Sequence, residues 1–64
     1  MKNSLKELRT EAGWSQAALG EKRGVSRQTI IALENGKYDP SLKLALAIAR
    51  VFDRLVEDIF FADK

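Results

Sequence analysis

The 64-residue sequence predicts an all-α fold, a single compact domain over residues 1–64 built from five short helices. Apolar residues recur at helical rather than alternating spacing, and the single proline, Pro40, falls between two predicted helices. Hydrophobic residues make up 45% of the chain and charged residues 31%, which favours a folded core over a disordered segment. The chain has no cysteine, so neither a disulfide nor a thiolate-bound metal can reinforce a core of this small size.

Serines mark the starts of the first two helices. Ser4 opens a capping-box pattern, which predicts a helix from Leu5 to about Ala12. Ser15 can cap a second helix that continues to about Arg23. Gly24 then supplies a turn that would be strained for a residue with a side chain.

The remaining three helices follow the same logic. Ser26 is a good N-cap for a third helix that ends near residues 35–36. Ser41 can cap a fourth helix from Leu42 to about Phe52, and a short fifth helix runs from Val56 to about Phe60. The fourth helix is apolar nearly all round, which is typical of the centre of a bundle or of a subunit interface.

Charge is unevenly distributed along the chain, although the net charge is only +2. The stretch from Lys22 to Lys43 carries five cations and two acids, a balance of +3. The stretch from Glu57 to Lys64 carries three acids and one cation, a balance of −2. A basic middle and an acidic end suit a protein with one face toward a polyanion, although solvated surface charge alone would give the same counts.

Several function classes are disfavoured by what the sequence lacks. Without histidine or cysteine, the commonest general base, metal ligands and activated nucleophile are missing. We therefore expect a binding protein and not an enzyme, with no cofactor, metal site or small-molecule ligand. No apolar run approaches the length needed to span a membrane and the N-terminus has no signal-peptide core, so we expect a cytoplasmic protein without a membrane partner.

The third predicted helix has an unusual distribution of side chains. Its first turn carries Arg27 and Gln28, and apolar residues follow, with Ile30 and Leu33 marking the inward face. Two helices joined by a tight glycine turn, the second opening with polar side chains, form a helix-turn-helix, here over about residues 16–35. Its second helix enters the major groove N-terminal end first, where Gln can pair with adenine and Arg with guanine. The Ser26 hydroxyl can meet a phosphate at the same helix end.

The chain from about Leu5 to Phe60 resembles the Cro and lambda-repressor family of transcription regulators. The resemblance rests on "SQ" at the start of the second helix, "GVSRQT" at the turn, "ENGKYDPS" after the third helix and "EDIF" near the end. It implies a lambda-repressor-like fold with helix 3 in the major groove of double-stranded DNA. The implied base-reading residues are Arg27, Gln28, Ile31 and Ala32. The implied phosphate contacts are Gln16, Ser26, Thr29, Asn35, Lys37 and Tyr38.

Two departures from the family pattern concern local geometry. Arg23 occupies a position before the turn glycine that is usually apolar, where it can bury its stem and extend its guanidinium to solvent. Asp53 stands where glycine or asparagine often follows the fourth helix, and aspartate tolerates a left-handed conformation less well than glycine.

The C-terminal segment, about residues 52–62, predicts self-association. Its large apolar groups are too many for the exposed end of a small monomer, and they are Leu55, Val56, Ile59, Phe60 and Phe61. A two-fold dimer through them would place two recognition helices about 34 Å apart, as a palindromic site requires. Alternatively, Phe60 and Phe61 complete the monomer's own core. In some similar regulators the chain ends pair as short strands, which "MKN" and "IFFADK" could do.

The sequence therefore predicts a sequence-specific DNA-binding transcriptional regulator. We expect a repressor that binds an inverted-repeat operator as a homodimer. Within the same fold, an antitoxin or a restriction-modification controller is an alternative. From a different class, the alternative is a small helical protein-interaction module.

Overall fold

The computed structural model describes residues 2–61, and its element order is that of a five-helix domain with a two-stranded sheet joining its ends. The helices are α1 (Leu5–Glu11), α2 (Gln16–Arg23), α3 (Arg27–Glu34), α4 (Leu42–Phe52) and α5 (Val56–Ile59). The strands are β1 (Lys2–Asn3) and β2 (Phe60–Phe61). The predicted all-α class and the five helices are confirmed. Among residues 2–61 no helix is long and apolar enough to cross a bilayer.

Three of the serines predicted as N-caps act as such. The side-chain oxygens of Ser15, Ser26 and Ser41 accept hydrogen bonds from the backbone N–H three residues later, at 3.0, 3.1 and 3.1 Å. Each bond satisfies one of the amides that a helix start leaves without an intrahelical partner. The helix starts at residues 16, 27 and 42 are therefore fixed by local sequence.

The capping box predicted at Ser4 is wrong. The Ser4 side chain makes no cap bond to α1, and its hydroxyl instead donates to the carbonyl oxygen of Asp58 at 3.2 Å. Asn3 takes over part of the cap, because its Oδ1 accepts the Leu5 N–H at 3.1 Å. The chain is drawn away from a standard cap geometry because the Ser4 N–H bonds to the Ile59 carbonyl at 2.9 Å, next to the terminal sheet.

The predicted pairing of the chain ends is confirmed for the residues described. Lys2 lies opposite Phe61 and Asn3 opposite Phe60 in an antiparallel register. The rest of the predicted pairing segments, Met1 and residues 62–64, lies outside the described residues. Asn3 also donates from Nδ2 to the Leu33 carbonyl at 2.7 Å, so the N-terminal strand holds the C-terminal end of α3.

A single apolar core lies inside the five helices. Its buried members come from every helix and from β2, and they are Leu5, Leu19, Ile30, Leu33, Ala45, Ile48, Ala49, Ile59 and Phe60. Half-buried Trp14 covers one side of this core, with its ring centroid 5.4 Å from that of Phe52. The Lys22 ammonium lies 4.8 Å above the Trp14 ring, a cation–π contact.

The two departures from the family pattern are accommodated in different ways. Asp53 adopts the left-handed conformation, with φ 54° and ψ 48°, that ends α4. Arg23 does not extend freely to solvent as predicted, because its Nη1 donates to the Ala47 carbonyl at 3.2 Å and so ties the end of α2 to α4. Its Nε is buried and has no hydrogen-bond partner within the described chain.

Candidate nucleic-acid interface

The turn between α2 and α3 fixes the direction in which α3 leaves the core. Gly24 has φ 70°, a left-handed conformation suited to glycine, and the Val25 N–H bonds to the Gly20 carbonyl at 2.9 Å. Gly20 has no room for a side chain, since an added Cβ would lie 2.6 Å from the Val25 carbonyl oxygen. Fully buried Ile30 and nearly fully buried Leu33 then hold the inner face of α3 in the core.

The opposite side of the first turn of α3 carries the predicted base-reading residues Arg27 and Gln28. Both side chains are exposed, and neither has a hydrogen bond or ion pair to another described residue. Ile31 and Ala32, one turn further along, are half-buried. Arg27 and Gln28 are thus available to a ligand, whereas Ile31 and Ala32 are only partly accessible.

Ser26 and Thr29, predicted phosphate contacts, also stabilise the start of α3. The Ser26 Oγ accepts the Thr29 N–H and lies 3.1 Å from the Thr29 hydroxyl. Ser26 is exposed and Thr29 half-buried. Two hydroxyl groups and the free amides of a helix start therefore lie together, an arrangement that favours an anionic ligand.

Gln16, another predicted phosphate contact, is part of a network that the sequence did not reveal. Its Nε2 donates to Glu34 Oε1 at 3.0 Å, and Arg9 Nε donates to Glu34 Oε2 at 2.6 Å. Arg9 Nη1 also donates to the Trp14 carbonyl at 2.8 Å. Side chains of Arg9 and Glu34 are 12% and 3% exposed, so this is a buried ion pair joining α1 to the end of α3.

Arg9 lies among charged residues of α1, yet its side chain is largely buried. No local pattern could have found its partner, because Arg9 and Glu34 are 25 residues apart in sequence. The second hydrogen of the Gln16 Nε2 group is not used by the network and can point outward. Gln16 is therefore both held in place and able to donate to a ligand.

A pocket of about 420 Å³ brings the start of α2 next to α3. Its lining includes Arg9, Gln16 and Arg27 together with Ser15 and Ala17. Because Glu34 neutralises Arg9, the uncompensated positive charge of the pocket comes from Arg27 and from the N-terminal end of the eight-residue helix α2. An oxyanion the size of a phosphate matches this chemistry.

The loop after α3 carries the other predicted phosphate contacts. Gly36 has φ 73°, and the N–H groups of Gly36 and Lys37 bond back to carbonyls of α3 at 3.1 and 3.0 Å. This closure leaves the side chains of Asn35, Lys37 and Tyr38 exposed. The loop follows the far end of α3, about 12 Å from the first turn, by the usual rise of an eight-residue helix.

The predicted dimer residues divide into two groups. Ile59 is fully buried and Phe60 is 8% exposed within a single chain, which agrees with the alternative that Phe60 completes the chain's own core. Helical periodicity does not reveal whether an apolar face meets the chain's own core or another molecule. Leu55 and Phe61 are exposed and Val56 is half-buried.

Comparison with known proteins agrees with this arrangement. Residues 5–59 match a family model described as helix-turn-helix. The chain is 52% identical over 64 residues to YgzD of Bacillus subtilis, an uncharacterized HTH-type transcriptional regulator, with 100% of this chain and 97% of YgzD covered. It is 60% identical over 60 residues to MJ0272 of Methanocaldococcus jannaschii, which has the same description, with 94% and 91% covered.

Two solved structures are similar in fold. The restriction-modification controller protein C.AhdI from Aeromonas hydrophila superposes with a TM-score of 0.77 and 34% identity, covering 88% of this chain and 81% of that one. The hypothetical transcription factor NHTF from Neisseria superposes with a TM-score of 0.76 at 22% identity, covering 86% of this chain and 63% of that one. The turn geometry, the family match and the identity to these relatives agree, and the chain belongs to the helix-turn-helix family.

Proposed function

We propose that this chain is a sequence-specific DNA-binding transcriptional regulator that inserts the first turn of α3 into the major groove. The observation that carries the proposal is the pair Arg27 and Gln28, exposed and unpaired among the described residues at the start of a helix fixed in the core. Arg can donate two hydrogen bonds to guanine, and Gln can bond adenine on two atoms. Rigid presentation matters because base readout depends on the position of each donor and acceptor.

Apolar contacts complete the proposed base readout. Ile31 and Ala32 lie one turn behind the first pair and are half-buried. A branched side chain such as that of Ile31 can contact a thymine methyl group, while the small Ala32 allows the backbone to approach the bases. These two residues would therefore favour particular bases by shape and not by hydrogen bonding.

The proposed phosphate contacts surround the same helix, and they are Gln16, Ser26, Thr29, Asn35, Lys37 and Tyr38. The pocket at the start of α2 offers an oxyanion the second Nε2 hydrogen of Gln16 and nearby free amides. After the C-terminal end of α3, exposed Lys37 can neutralise a phosphate and exposed Asn35 and Tyr38 can donate hydrogen bonds. Contacts on both ends of α3 would fix its depth and tilt in the groove.

We further propose that the protein acts as a homodimer on an inverted-repeat operator and represses by blocking access to the promoter. Residues 2–61 extend only 30 Å along their longest axis and contain one recognition helix, while successive major grooves on one DNA face lie about 34 Å apart. Exposed Leu55 and Phe61, with Val56 between them in sequence, supply apolar surface for the second copy. The operator would lie on cytoplasmic DNA.

A restriction-modification controller is the second candidate. The likeness to C.AhdI, at 34% identity and a TM-score of 0.77, favours it specifically. Such a controller would use the same interface on DNA, so the two candidates differ in the regulated gene and not in the binding chemistry.

The test is selection of bound DNA from a random duplex pool. We expect an enriched consensus with two-fold symmetry, and with Gln28→Ala we expect one position per half-site to lose its preference, worth about 1–3 kcal/mol of base discrimination. The control is Lys6→Glu, a charge reversal at an exposed position of α1, which should leave the consensus unchanged. No enrichment would contradict DNA binding and favour a protein-interaction module, while an asymmetric consensus would contradict the dimer.

A further inference from the structure

An open cleft lies along α4, between the end of α2 and the start of α5, and none of the proposed DNA contacts belongs to it. Its volume is about 700 Å³, a size typical of sites that bind small organic molecules. It shares no lining residue with the pocket at the start of α2. Its lining includes the cations Arg23, Lys43, Arg50 and Arg54, the small residues Ala47 and Ala49, and the exposed Leu46. We call it the α4 cleft.

The charge of the α4 cleft is not balanced by the chain itself. The lining carries four cations and one acid, Asp53, a balance of +3. Lys43 and Arg50 lie two turns apart on one face of α4, a helix that contains no acidic residue. The side chains of Lys43, Arg50 and Arg54 form no ion pair with any described residue. Because charge of one sign in a cleft concentrates the electrostatic field, this surface attracts an anion.

Arg23 shows that the chain supplies too few hydrogen-bond acceptors in the α4 cleft. Its Nη1 donates to the Ala47 carbonyl at 3.2 Å, and its Nε is buried without an acceptor among the described residues. A guanidinium can donate five hydrogen bonds, and a buried charged group with unmet donors costs free energy. An anion in the cleft would bring oxygen acceptors next to this guanidinium.

The chemistry of the lining favours an organic phosphate over other anions. Arginine presents pairs of N–H donors in a plane, and their spacing matches that of phosphate oxygens. One phosphoryl group carries about 1.5 to 2 negative charges, so two of them come closer to the +3 of the lining than one does. Leu46, which is not part of the apolar surface proposed for the homodimer, is 50% exposed in the same cleft and offers contact to an organic group.

We infer that the α4 cleft binds an organic diphosphate, with its phosphoryl groups at Arg23, Arg50 and Arg54 and its organic group against Leu46. A nucleoside diphosphate has this combination of charge and apolar surface. The sequence predicts no small-molecule ligand, because only the fold brings Arg23 of α2 beside the cations of α4 and of the residues that follow it. The site differs from the proposed DNA interface in every residue, so the ligand needs no DNA.

Equilibrium dialysis of the full chain against ADP, at about 100 mM salt and without divalent metal, tests the site. We expect one ADP per chain. Arg50→Gln and Arg54→Gln should each raise the dissociation constant at least about tenfold, because each removes charge-assisted hydrogen bonds to phosphate. Lys6→Gln, the same change of charge at an exposed position of α1, is the matched control and should stay within about twofold of wild type. Circular dichroism verifies that each variant is folded.

Pyrophosphate and adenosine distinguish the parts of the ligand. Adenosine lacks phosphoryl groups and should bind at least about tenfold more weakly than ADP. Pyrophosphate lacks the organic group and should bind at least about threefold more weakly than ADP. Leu46→Ser should remove the difference between ADP and pyrophosphate by weakening ADP alone. Equal binding of ADP and pyrophosphate to the wild-type chain would overturn the organic ligand in favour of an inorganic one.

Two further results would overturn the α4 cleft as the site. One is the absence of both ADP and pyrophosphate binding up to about 5 mM. The other concerns Arg27→Gln, which removes a cation of the pocket at the start of α2. Loss of ADP binding in that variant, with none in Arg50→Gln or Arg54→Gln, would place the anion at the proposed DNA interface. A chain that binds ADP in the cleft but enriches no DNA contradicts only the proposed DNA binding.

Discussion

Gly20 lies where α2 passes closest to the turn that follows it, and it shows how one residue type sets the geometry of the motif. A Cβ at this position would lie 2.6 Å from the Val25 carbonyl oxygen, which is backbone and cannot rotate away. The glycine is needed for this close approach and not for a left-handed conformation, which occurs instead at Gly24. Any larger residue at position 20 would therefore push the turn and α3 away from α2.

We therefore expect Gly20→Ala to destabilise the protein by about 2 kcal/mol, because the added Cβ meets a backbone atom and the overpacking cost lies near the upper end of its range. Overpacking costs about 1–3 kcal/mol, and the better helix propensity of alanine offsets about 1 kcal/mol of it. Urea unfolding at fixed chain concentration measures the change. Glu21→Ala, at an exposed position of the same helix, is the control and should stay within about 0.5 kcal/mol of wild type. An unchanged Gly20→Ala variant would show that the turn can move outward without cost.

Ser26 has two roles that substitutions can separate. Its Oγ accepts the Thr29 N–H, a role that Asn and Asp fill equally well, so both variants should remain within about 0.5 kcal/mol of wild-type stability. Ser26→Asp also adds negative charge beside the proposed phosphate, and we expect its DNA affinity to fall at least about tenfold below that of Ser26→Asn. Fluorescence anisotropy with the selected duplex measures both affinities. Equal affinities would mean that no phosphate lies next to Ser26.

The network of Arg9, Gln16 and Glu34 joins three helices at one end of the proposed interface. Glu34 is the last residue of α3, and its carboxylate accepts from Arg9 of α1 and from Gln16 of α2. Because the carboxylate is buried, both partners are required to compensate its lost hydration. The network therefore determines where α3 ends relative to the start of α2.

We expect Glu34→Ala to destabilise the fold by about 3 kcal/mol or more, since it leaves the Arg9 guanidinium buried and unpaired. Arg9→Met combined with Glu34→Leu should cost less than either change made alone, because no isolated charge remains. Gln16→Ala loses one hydrogen bond and should cost about 1 kcal/mol. Thermal and urea unfolding of these variants, analysed as a double-mutant cycle, measures the coupling. Additive effects of the two single changes would contradict a shared buried pair.

The elements differ in how well local sequence predicts them. The starts of α2, α3 and α4 are predictable because each depends on a serine bonding to an amide three residues away. Exposure of Arg27 and Gln28 is predictable for the same reason, since both lie in the turn after such a cap. The failed cap at Ser4 depends instead on Ile59 and Asp58, more than 50 residues away in sequence.

Long-range partners account for the errors at the candidate sites as well. The hydrogen bond that holds the Gln16 side chain requires Glu34, 18 residues further along the chain. The two residues come close only when α3 packs in the folded domain. The burial of Ile59 and Phe60 depends on β1 pairing with β2 and closing that end of the core. Apolar spacing gives the face of a helix but not its neighbour, so it could not separate core residues from association surface.

At the scale of the whole molecule, a net charge of +2 is too small to give strong non-specific attraction to DNA. Binding would depend on where the cations lie. Arg27 and Lys37 lie at opposite ends of α3, while the exposed acids Glu57 and Asp58 lie on α5, outside the helix-turn-helix. The proposed homodimer would bring two sets of α3 cations to one DNA duplex.

This distribution of cations predicts that DNA affinity falls only modestly with salt, and the size of the fall distinguishes phosphate contacts from base contacts. With one or two cations of each chain at phosphates, the slope of log affinity against log salt should lie between about −2 and −4 for the dimer on its full operator. Lys37→Gln should reduce the magnitude of that slope by about 2, one for each chain, and weaken all sequences alike. Gln28→Ala should leave the slope unchanged and alter the preferred base, so it serves as the matched control. Titrations between about 50 and 200 mM salt measure both. A Lys37→Gln dimer that keeps the full slope would place that lysine away from the DNA backbone, and the loop after α3 would then contribute shape and not charge to the complex.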